Sequence, residues 1–280
     1  MRARRALCVI FATCAAGLAA KAADAAELRA VRGVRLYTQT FGSGAPILFL
    51  HGGLHHFDNT FADQRDTFAA YRRVIGVDQR GHGHSPDTAA PFSYREMADD
   101  TAALIRELGV GPVDVVGHSD GGNVALLLAA SHPELVRRVA VSGANVRAAR
   151  AGEELKRLAA VPQVQIAERL GRFRDGFVQV APDGAQRWPV FAEKSWKLWL
   201  TPVVITPEDL RAITAPVLVI AGDRDLAPLE ETLEIYRGVA RGQLLILPGT
   251  GHDTFHDRAE VVNAALRRFF DAPDGEFKAP

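Results

Sequence analysis

Cysteine is nearly absent from this chain of 280 residues, which contains only Cys8 and Cys14. Neither a disulfide framework nor a cysteine-based metal site is therefore available to the rest of the chain. The sequence also lacks an excess of either charge, because Lys and Arg total 33 and Asp and Glu total 33. Without a basic excess, we expect no nucleic-acid partner. The hydrophobic fraction of 48% excludes a disordered chain and is typical of a globular protein.

A long hydrophobic run is missing as well. The apolar stretch at residues 6–20 is shorter than the roughly 20 residues that a membrane-spanning helix needs. Basic residues precede it, and the small-residue patterns A-K-A and A-D-A follow it at residues 20–25. This layout predicts a secretory signal peptide at residues 1–25, cleaved near residue 22 or 25, with an uncleaved membrane anchor as the alternative. We therefore expect a periplasmic or secreted protein that has no stable membrane anchor after cleavage and no cysteine.

The rest of the sequence alternates predicted strands with predicted helices. Most of the strands are unbroken apolar runs, which indicates a sheet buried on both faces. The pattern predicts an α/β fold with a doubly wound, mostly parallel sheet. The predicted strands are Glu27–Val31, Val34–Thr40, Ile47–Leu50, Arg73–Val77, Val113–Val116, Val136–Val141, Pro216–Ala221 and Leu244–Leu247. The predicted helices are Phe61–Tyr71, Tyr94–Leu108, Gly121–Ser131, Glu230–Tyr236 and Arg258–Phe270.

One long segment interrupts this alternation. Residues 144–206 contain no obvious core strand, although the predicted strands on either side of them are neighbours in the sheet. A segment of that length is too long for a plain loop. It also holds all three tryptophans of the chain, Trp188, Trp196 and Trp199. We predict a helical cap at residues 144–206, inserted into a core made of residues 26–143 and 207–280.

A motif that suggests catalysis lies where one predicted strand meets the next helix. Residues 117–121 read G-H-S-D-G, which matches G-x-S-x-G in the strand–helix context that this motif requires. Glycines on both sides allow a sharp turn that exposes the hydroxyl of Ser119 at the end of the strand. A nucleophilic serine needs a base, and the base needs an acid that orients it.

Candidates for these partners follow two later strands. Residues 221–225 read A-G-D-R-D and residues 248–252 read P-G-T-G-H, so both end at the same edge of a parallel sheet as Ser119. Upstream, L-H-G-G at residues 50–53 also ends a strand. The free amides of Gly53, or of Leu54 as second choice, and of Asp120 can point together at a developing oxyanion.

These motifs, together with D-Q-R-G-H-G-H-S at residues 78–85, make the chain similar to the α/β-hydrolase-fold enzymes with a serine nucleophile. The resemblance extends from about residue 30 to about residue 270, in the order Ser…Asp…His. It implies that Ser119 is the nucleophile, His252 the base and Asp225 the acid. It favours Asp225 over Asp223 because the acid of the family is usually the last residue of G-x-x-D.

Four residues are candidates for binding the substrate: Asp120, His55, Trp196 and Trp199. The carboxylate of Asp120 either favours the start of its helix through the helix dipole or attracts a cationic group of the substrate. The G-x-S-D-G-G elbow is similar to that of valacyclovir-hydrolase-like enzymes, which cleave amino-acid esters. That similarity implies that Asp120 faces the substrate.

We expect no metal and no cofactor. Residues 252–256 read H-D-T-F-H, which superficially resembles the zinc motif H-E-x-x-H. That motif places both histidines on one helix and needs a third ligand, whereas His252 follows Gly251 in a predicted loop. Asp78, Arg80 and Ser85 are expected to fix a turn beside the site.

The sequence therefore predicts an enzyme that cleaves a carboxylic ester of a small, fairly apolar substrate through an acyl-enzyme. The alternatives on the same triad are an amidase or aminopeptidase, a lactonase and a C–C hydrolase. A non-catalytic ligand-binding protein with this fold is a further alternative. The sequence assigns no oligomeric state.

Overall fold

The structure is a computed structural model that describes residues 25–148, 152–202 and 204–277. The predicted signal peptide lies outside the described residues, except for Ala25, which begins the first strand. Within the described ranges, no helix has the length and apolar character that crossing a membrane requires.

Eight strands form a single sheet in the order β1-β2-β4-β3-β5-β6-β7-β8. Strand β2 runs antiparallel to β1 and β4, and every other neighbouring pair is parallel. The prediction of a doubly wound, mostly parallel sheet is therefore confirmed. The strands are β1 (Ala25–Val31), β2 (Val34–Phe41), β3 (Pro46–Leu50), β4 (Arg73–Asp78), β5 (Val113–His118), β6 (Val136–Ser142), β7 (Val217–Gly222) and β8 (Gly242–Leu247).

Helices cover both faces of the sheet. The core on one face includes apolar side chains of α2, α3, α8 and α9, and the core on the other face includes those of α1, α10 and α11. The strands β5 and β7 are buried along their whole length, which explains their mostly apolar sequences. Asp114 interrupts β5 and is paired there with Arg72 and Arg137. The helices are α1 (Phe57–Ala69), α2 (Tyr94–Leu108), α3 (Asp120–Ser131), α4 (Gly152–Ala159), α5 (Gln163–Arg169), α6 (Arg174–Val180), α7 (Trp188–Trp199), α8 (Pro207–Ala212), α9 (Leu229–Gly238), α10 (Thr254–Asp257) and α11 (Ala259–Asp271).

The segment between β6 and α8 is helical and contains α4 to α7. It leaves and rejoins the core at one place, because the amides of Val204 and Ile205 both donate to the carbonyl of Val146. Its interior is aromatic: the ring of Phe191 stacks on Phe177 and lies 6.0 Å from Trp188. These contacts close the segment into a compact cap over the carboxyl ends of the parallel strands.

A buried ion pair fixes the cap to the core. Lys194 on α7 donates to both carboxylate oxygens of Asp87 in the core, at 2.8 and 2.9 Å. Arg187 of the cap reaches the same carboxylate at 2.9 Å. Helix α7 therefore has a defined position above the sheet.

Candidate active site

Ser119 lies in a strained turn between β5 and α3. Its φ of 52° and ψ of −119° are unusual for a residue with a side chain. The turn needs glycine beside it, because a Cβ at Gly121 would overlap the carbonyl of Leu50 and one at Gly117 would overlap the carbonyl of Gly121. The strain places the hydroxyl of Ser119 at the carboxyl end of β5, facing the cap.

The three side chains of the predicted triad come together at this edge of the sheet. His252 Nε2 lies 2.9 Å from Ser119 Oγ, and His252 Nδ1 lies 2.6 Å from Asp225 Oδ1. Asp225 follows β7 and His252 follows β8, so parallel neighbours deliver both residues to one edge. This arrangement forms a continuous hydrogen-bonded path from a carboxylate through an imidazole to a hydroxyl.

The two candidate acids, Asp225 and Asp223, have different hydrogen-bond partners. Asp225 is fully buried and bonds to His252, and its Oδ1 also accepts the amide of Ala227. Asp223 instead accepts the amide of Thr250, which holds the loop that carries His252. The geometry thus pairs Asp225, and not Asp223, with the imidazole.

The environment of His252 favours its protonated form. Burial lowers the pKa of the imidazole, but the hydrogen bond that His252 donates to Asp225 and the charges of Asp225, Asp253 and Asp120 together outweigh burial. The net effect raises the pKa of His252 above its usual value of 6.5. Such a base gains a proton from serine readily and is stabilised as the imidazolium.

Three backbone amides near Ser119 lack a hydrogen-bond acceptor among the described residues. Among the residues that the structure describes, no acceptor reaches the amides of Gly53, Leu54 or Asp120. The loop that contains Gly53 packs directly against the nucleophile, since a Cβ at Gly52 would lie 3.3 Å from Ser119 Cβ. Leu54 has a positive φ of 62°, so both candidate donors of this loop lie in a strained turn. These amides are suited to bind an oxyanion.

His51 fixes this loop from below. Its Nδ1 bonds to the carbonyl of Gly52 at 2.8 Å, and its Nε2 accepts the amide of Gln79 at 2.9 Å. Burial lowers the pKa of His51 to about 3, so the ring stays neutral and keeps one donor and one acceptor. His51 therefore ties the loop to the turn that follows β4.

Asp120 combines a backbone amide beside Ser119 with a buried carboxylate in the pocket wall. Tyr94 Oη donates to Asp120 Oδ1 at 2.7 Å, and Trp199 Nε1 donates to Oδ2 at 2.9 Å. In the described part of the chain, no Lys or Arg pairs with this carboxylate. Its charge is thus held by two neutral donors, one from the core and one from the cap.

A cavity of about 380 Å³ opens above Ser119. The exposed surface of its walls is mostly apolar, as in sites for small molecules, although Arg147, Arg172 and Glu231 also line it. Three of the four residues predicted to bind substrate, Asp120, His55 and Trp199, lie in its wall. The apolar part of the lining comes from Leu54, Leu170, Phe173, Trp199, Leu226, Ala227 and Pro228.

Trp196 is a correction to the sequence prediction, because it does not line this cavity. Its indole nitrogen donates to the carbonyl of Leu158 at 2.9 Å, which joins α7 to α4 inside the cap. Trp199, one turn further along the same helix, points its nitrogen at Asp120 instead. The two tryptophans therefore have different roles, one within the cap and one between cap and core.

Several residues of the site were not found from the sequence. Tyr94 begins α2, far from any motif, and nothing in its surroundings in the sequence indicates a contact with Asp120. Gly143 follows β6 with a φ of 65°, and a Cβ there would lie 2.6 Å from His252 Cε1. Its position at the end of a parallel strand could have identified Gly143 as a site residue from the sequence. Arg172 lines the cavity from the cap, which has no motif of its own.

Comparisons with known proteins find relatives that match most of the chain. The chain is 27% identical to the AB hydrolase superfamily protein YisY of Bacillus subtilis (strain 168), over 84% of this chain and 95% of that protein. It is 24% identical to the (E)-2-((N-methylformamido)methylene)succinate hydrolase of Acinetobacter baylyi, over 82% of this chain and 92% of that protein.

Among solved structures, an esterase from Exiguobacterium antarcticum superimposes with a TM-score of 0.73 at 25% identity, covering 88% of this chain and 98% of the esterase. A family model described as the alpha/beta hydrolase family matches residues 47–265, which include the elbow, both loops after β7 and β8, and the cap. The chain therefore belongs to the alpha/beta hydrolase family.

Proposed function

We propose that this protein is a serine hydrolase that cleaves a carboxylic ester of a small, fairly apolar substrate through an acyl-enzyme. The observation that carries the proposal is the hydrogen-bonded path from Asp225 through His252 to Ser119, which opens into an apolar cavity beside unpaired amides. A cavity of about 380 Å³ suits a small molecule and not a polymer. The esterase among the structural neighbours supports an ester as the substrate.

The mechanism follows from the positions of the atoms. His252 Nε2 takes the proton of Ser119 as Oγ attacks the acyl carbon of the ester. Asp225 holds the imidazole in the required tautomer and stabilises the imidazolium. The amides of Gly53, with Leu54 as second choice, and of Asp120 bind the negative oxygen of the tetrahedral intermediate.

The second half of the reaction uses the same groups. The imidazolium returns its proton to the leaving alcohol, and the acyl group stays on Ser119 as an ester. Water then gives a proton to His252 and attacks the acyl carbon, and collapse of the second intermediate releases the carboxylic acid. The serine recovers its proton, so no net change remains on the enzyme.

The turnover of p-nitrophenyl esters tests this proposal against its alternatives. We expect the wild type to release p-nitrophenol from short acyl esters and Ser119→Ala to release none above background. Matched amide, lactone and vinylogous 1,5-diketone substrates test the amidase, lactonase and C–C hydrolase alternatives. A folded wild type that turns over none of these substrates would identify a ligand-binding protein.

The charge of Asp120 favours a second candidate, a hydrolase of α-amino esters. A carboxylate in the cavity wall without a cationic partner attracts an ammonium group of the substrate. We expect the wild type to prefer an α-amino ester over its desamino analogue and Asp120→Asn to lose that preference. Equal rates for the two esters in the wild type would refute this candidate without affecting the ester hydrolase proposal.

A further inference from the structure

A second polar cluster lies beneath the loop that precedes α1. A ring nitrogen of His56, a carboxylate oxygen of Asp78 and a ring nitrogen of His84 all lie within 4.8 Å of one another. Asp78 ends β4, His84 lies in the turn that follows it, and His56 is the residue before the first turn of α1. The ester chemistry proposed above uses none of these three side chains.

The carboxylate at the centre of this cluster is buried without a strong cation. Asp78 is 1% exposed, and in the described ranges no Lys or Arg pairs with it. Its Oδ1 accepts the amide of Phe57 at 2.9 Å, and its Oδ2 accepts the amide of His84 at 2.9 Å. These backbone bonds fix the orientation of the carboxylate and leave most of its negative charge to attract a cation.

The two histidines are held in place around this charge. His84 Nδ1 lies 2.9 Å from Asp78 Oδ2, and its ring stacks on Tyr37 with 4.4 Å between the ring centroids. The ring of His56 meets that of His84 edge to face, 5.9 Å away. His56 Nδ1 is buried and has no hydrogen-bond partner among the described residues, which is costly for a polar atom.

These side chains suit a metal ion after a small rearrangement. A tetrahedral zinc ion holds two ligand atoms at about 2.0–2.1 Å each and therefore about 3.3–3.4 Å apart, so the 2.9 Å hydrogen-bonded pair of His84 Nδ1 and Asp78 Oδ2 would have to widen by about 0.5 Å to share one ion. Two imidazoles and one carboxylate are typical ligands of zinc. The half-buried ring of His56 would have to move closer to complete three ligands, because the cluster's ligand atoms lie within 4.8 Å of one another and a shared tetrahedral ion brings them to about 3.3–3.4 Å; water would supply the fourth ligand.

We propose that His56, Asp78 and His84 form a binding site for a divalent transition-metal ion, with Zn²⁺ as the best match to these ligands. On binding, Zn²⁺ takes the place of the proton between His84 Nδ1 and Asp78 Oδ2: a neutral ring keeps its one proton on Nε2, and a protonated ring gives one proton to solvent. The site is separate from the triad and needs no role in ester cleavage.

The sequence does not indicate this site, because the metal-like pattern that it contains lies elsewhere, at residues 252–256. This cluster has no compact motif, since its ligands come from two segments more than 20 positions apart. The bound ion would tie the turn after β4 to the start of α1, next to the loop that carries Gly53. We therefore expect it to stabilise the fold.

Isothermal titration of ZnCl₂ into untagged, EDTA-treated protein tests the proposal. We expect one Zn²⁺ per wild-type chain, and a loss of affinity of at least about tenfold in both His56→Ala and His84→Asn. The asparagine retains a donor for Asp78, which protects the turn in that variant. His256→Ala is the matched control, because His256 is an exposed histidine beside a carboxylate, Asp257, and should leave zinc binding unchanged.

Thermal unfolding provides a second readout that does not depend on enzyme activity. Zinc should raise the Tm of the wild type and of His256→Ala but not that of the two ligand variants. The absence of zinc binding by the wild type would overturn the proposal. Wild-type affinity in either ligand variant, or binding that disappears only in His252→Ala, would overturn it as well.

Discussion

Asp223 and Asp225 are two carboxylates of one loop, and only the second touches the imidazole of the triad. We expect Asp225→Asn to lower kcat by about 10³- to 10⁴-fold, because an amide favours the wrong tautomer of His252. Asp223→Asn is the matched control, since an amide oxygen still accepts the amide of Thr250. Steady-state kinetics on one ester checks both variants, and equal losses would show that Asp225 has no special role.

The pKa of His252 predicts the acidic limb of the pH profile. Only the neutral imidazole accepts the serine proton, so kcat/KM should fall as the pH drops through a pKa above 6.5. Asp225→Asn removes the interaction that raises this pKa, and burial then shifts the limb to lower pH. A pH–rate profile of both proteins checks the direction, and a limb that does not move would contradict the assignment.

Gly53 is a residue whose lack of a side chain matters directly. A Cβ at Gly53 would overlap Asp120 Oδ2 and crowd the indole of Trp199. We expect Gly53→Ala to lower kcat by about a hundred- to thousandfold, because the displaced loop loses an oxyanion donor. Gly171→Ala is the control, since a Cβ at Gly171 meets no atom within 4 Å. Equal kcat values for the two variants would refute this role of Gly53.

Residue roles were predictable where they depend on position at a strand end. Ser119, Asp225 and His252 each follow an apolar run, and parallel strands bring such positions to one edge. The bond from Tyr94 to Asp120 was not predictable, because it depends on how α2 packs against α3. Trp196 was assigned wrongly, since the sequence of a helix does not say which neighbouring helix its indole meets.

At the scale of elements, helix α7 connects the cap to the core through Lys194 and Asp87. The lysine is 12% exposed and the carboxylate 9%, so loss of the cation leaves a largely buried carboxylate that, among the described residues, keeps Arg187 as its ion-pair partner and the amide of Thr88 as a neutral donor. We expect Lys194→Met to lower the free energy of unfolding by about 1–3 kcal/mol and to raise KM. Lys197→Met removes an exposed pair with Glu193 and should cost at most about 0.5 kcal/mol.

Chemical denaturation measures the stability of both lysine variants, and ester kinetics measures KM. The methionine keeps the apolar stem of the lysine, so that the test isolates the charge. If the two variants have equal stability and equal KM, the pair between Lys194 and Asp87 does not position the cap.

Element boundaries show which physical signals the sequence carries. Strands β3 and β7 were predicted because burial on both faces demands unbroken apolar runs, and β5 was predicted although Asp114 interrupts its run. Helix α1 begins at Phe57, four residues before the predicted start, with an added first turn whose first amide bonds to the carboxylate of Asp78 and which a non-helical Phe61 (φ −127°, ψ 24°) separates from the rest. That contact joins distant segments, so local periodicity could not reveal it. The helical character of the cap was predicted, but the packing of its short helices was not, since their apolar faces meet each other and not the sheet.

At the scale of the whole molecule, the sequence predicts an exported protein whose first 22 or 25 residues are removed. Cleavage at either position removes both cysteines, so the mature protein should contain no thiol. Intact-mass spectrometry of the protein recovered from the periplasm or the medium of an expressing bacterium checks this prediction. A mass that retains Met1, or recovery only in the cytoplasm, would contradict it.

The central claim about the molecule is that its sheet brings Ser119, His252 and Asp225 together as one catalytic triad. Labelling with a fluorophosphonate tests this claim most directly, because only an activated serine attacks the phosphorus. The account predicts one label per chain, located on Ser119 by peptide mass spectrometry, and at least about a thousandfold slower labelling of His252→Ala. An unlabelled wild type, a label on another residue, or equal labelling of His252→Ala would contradict it.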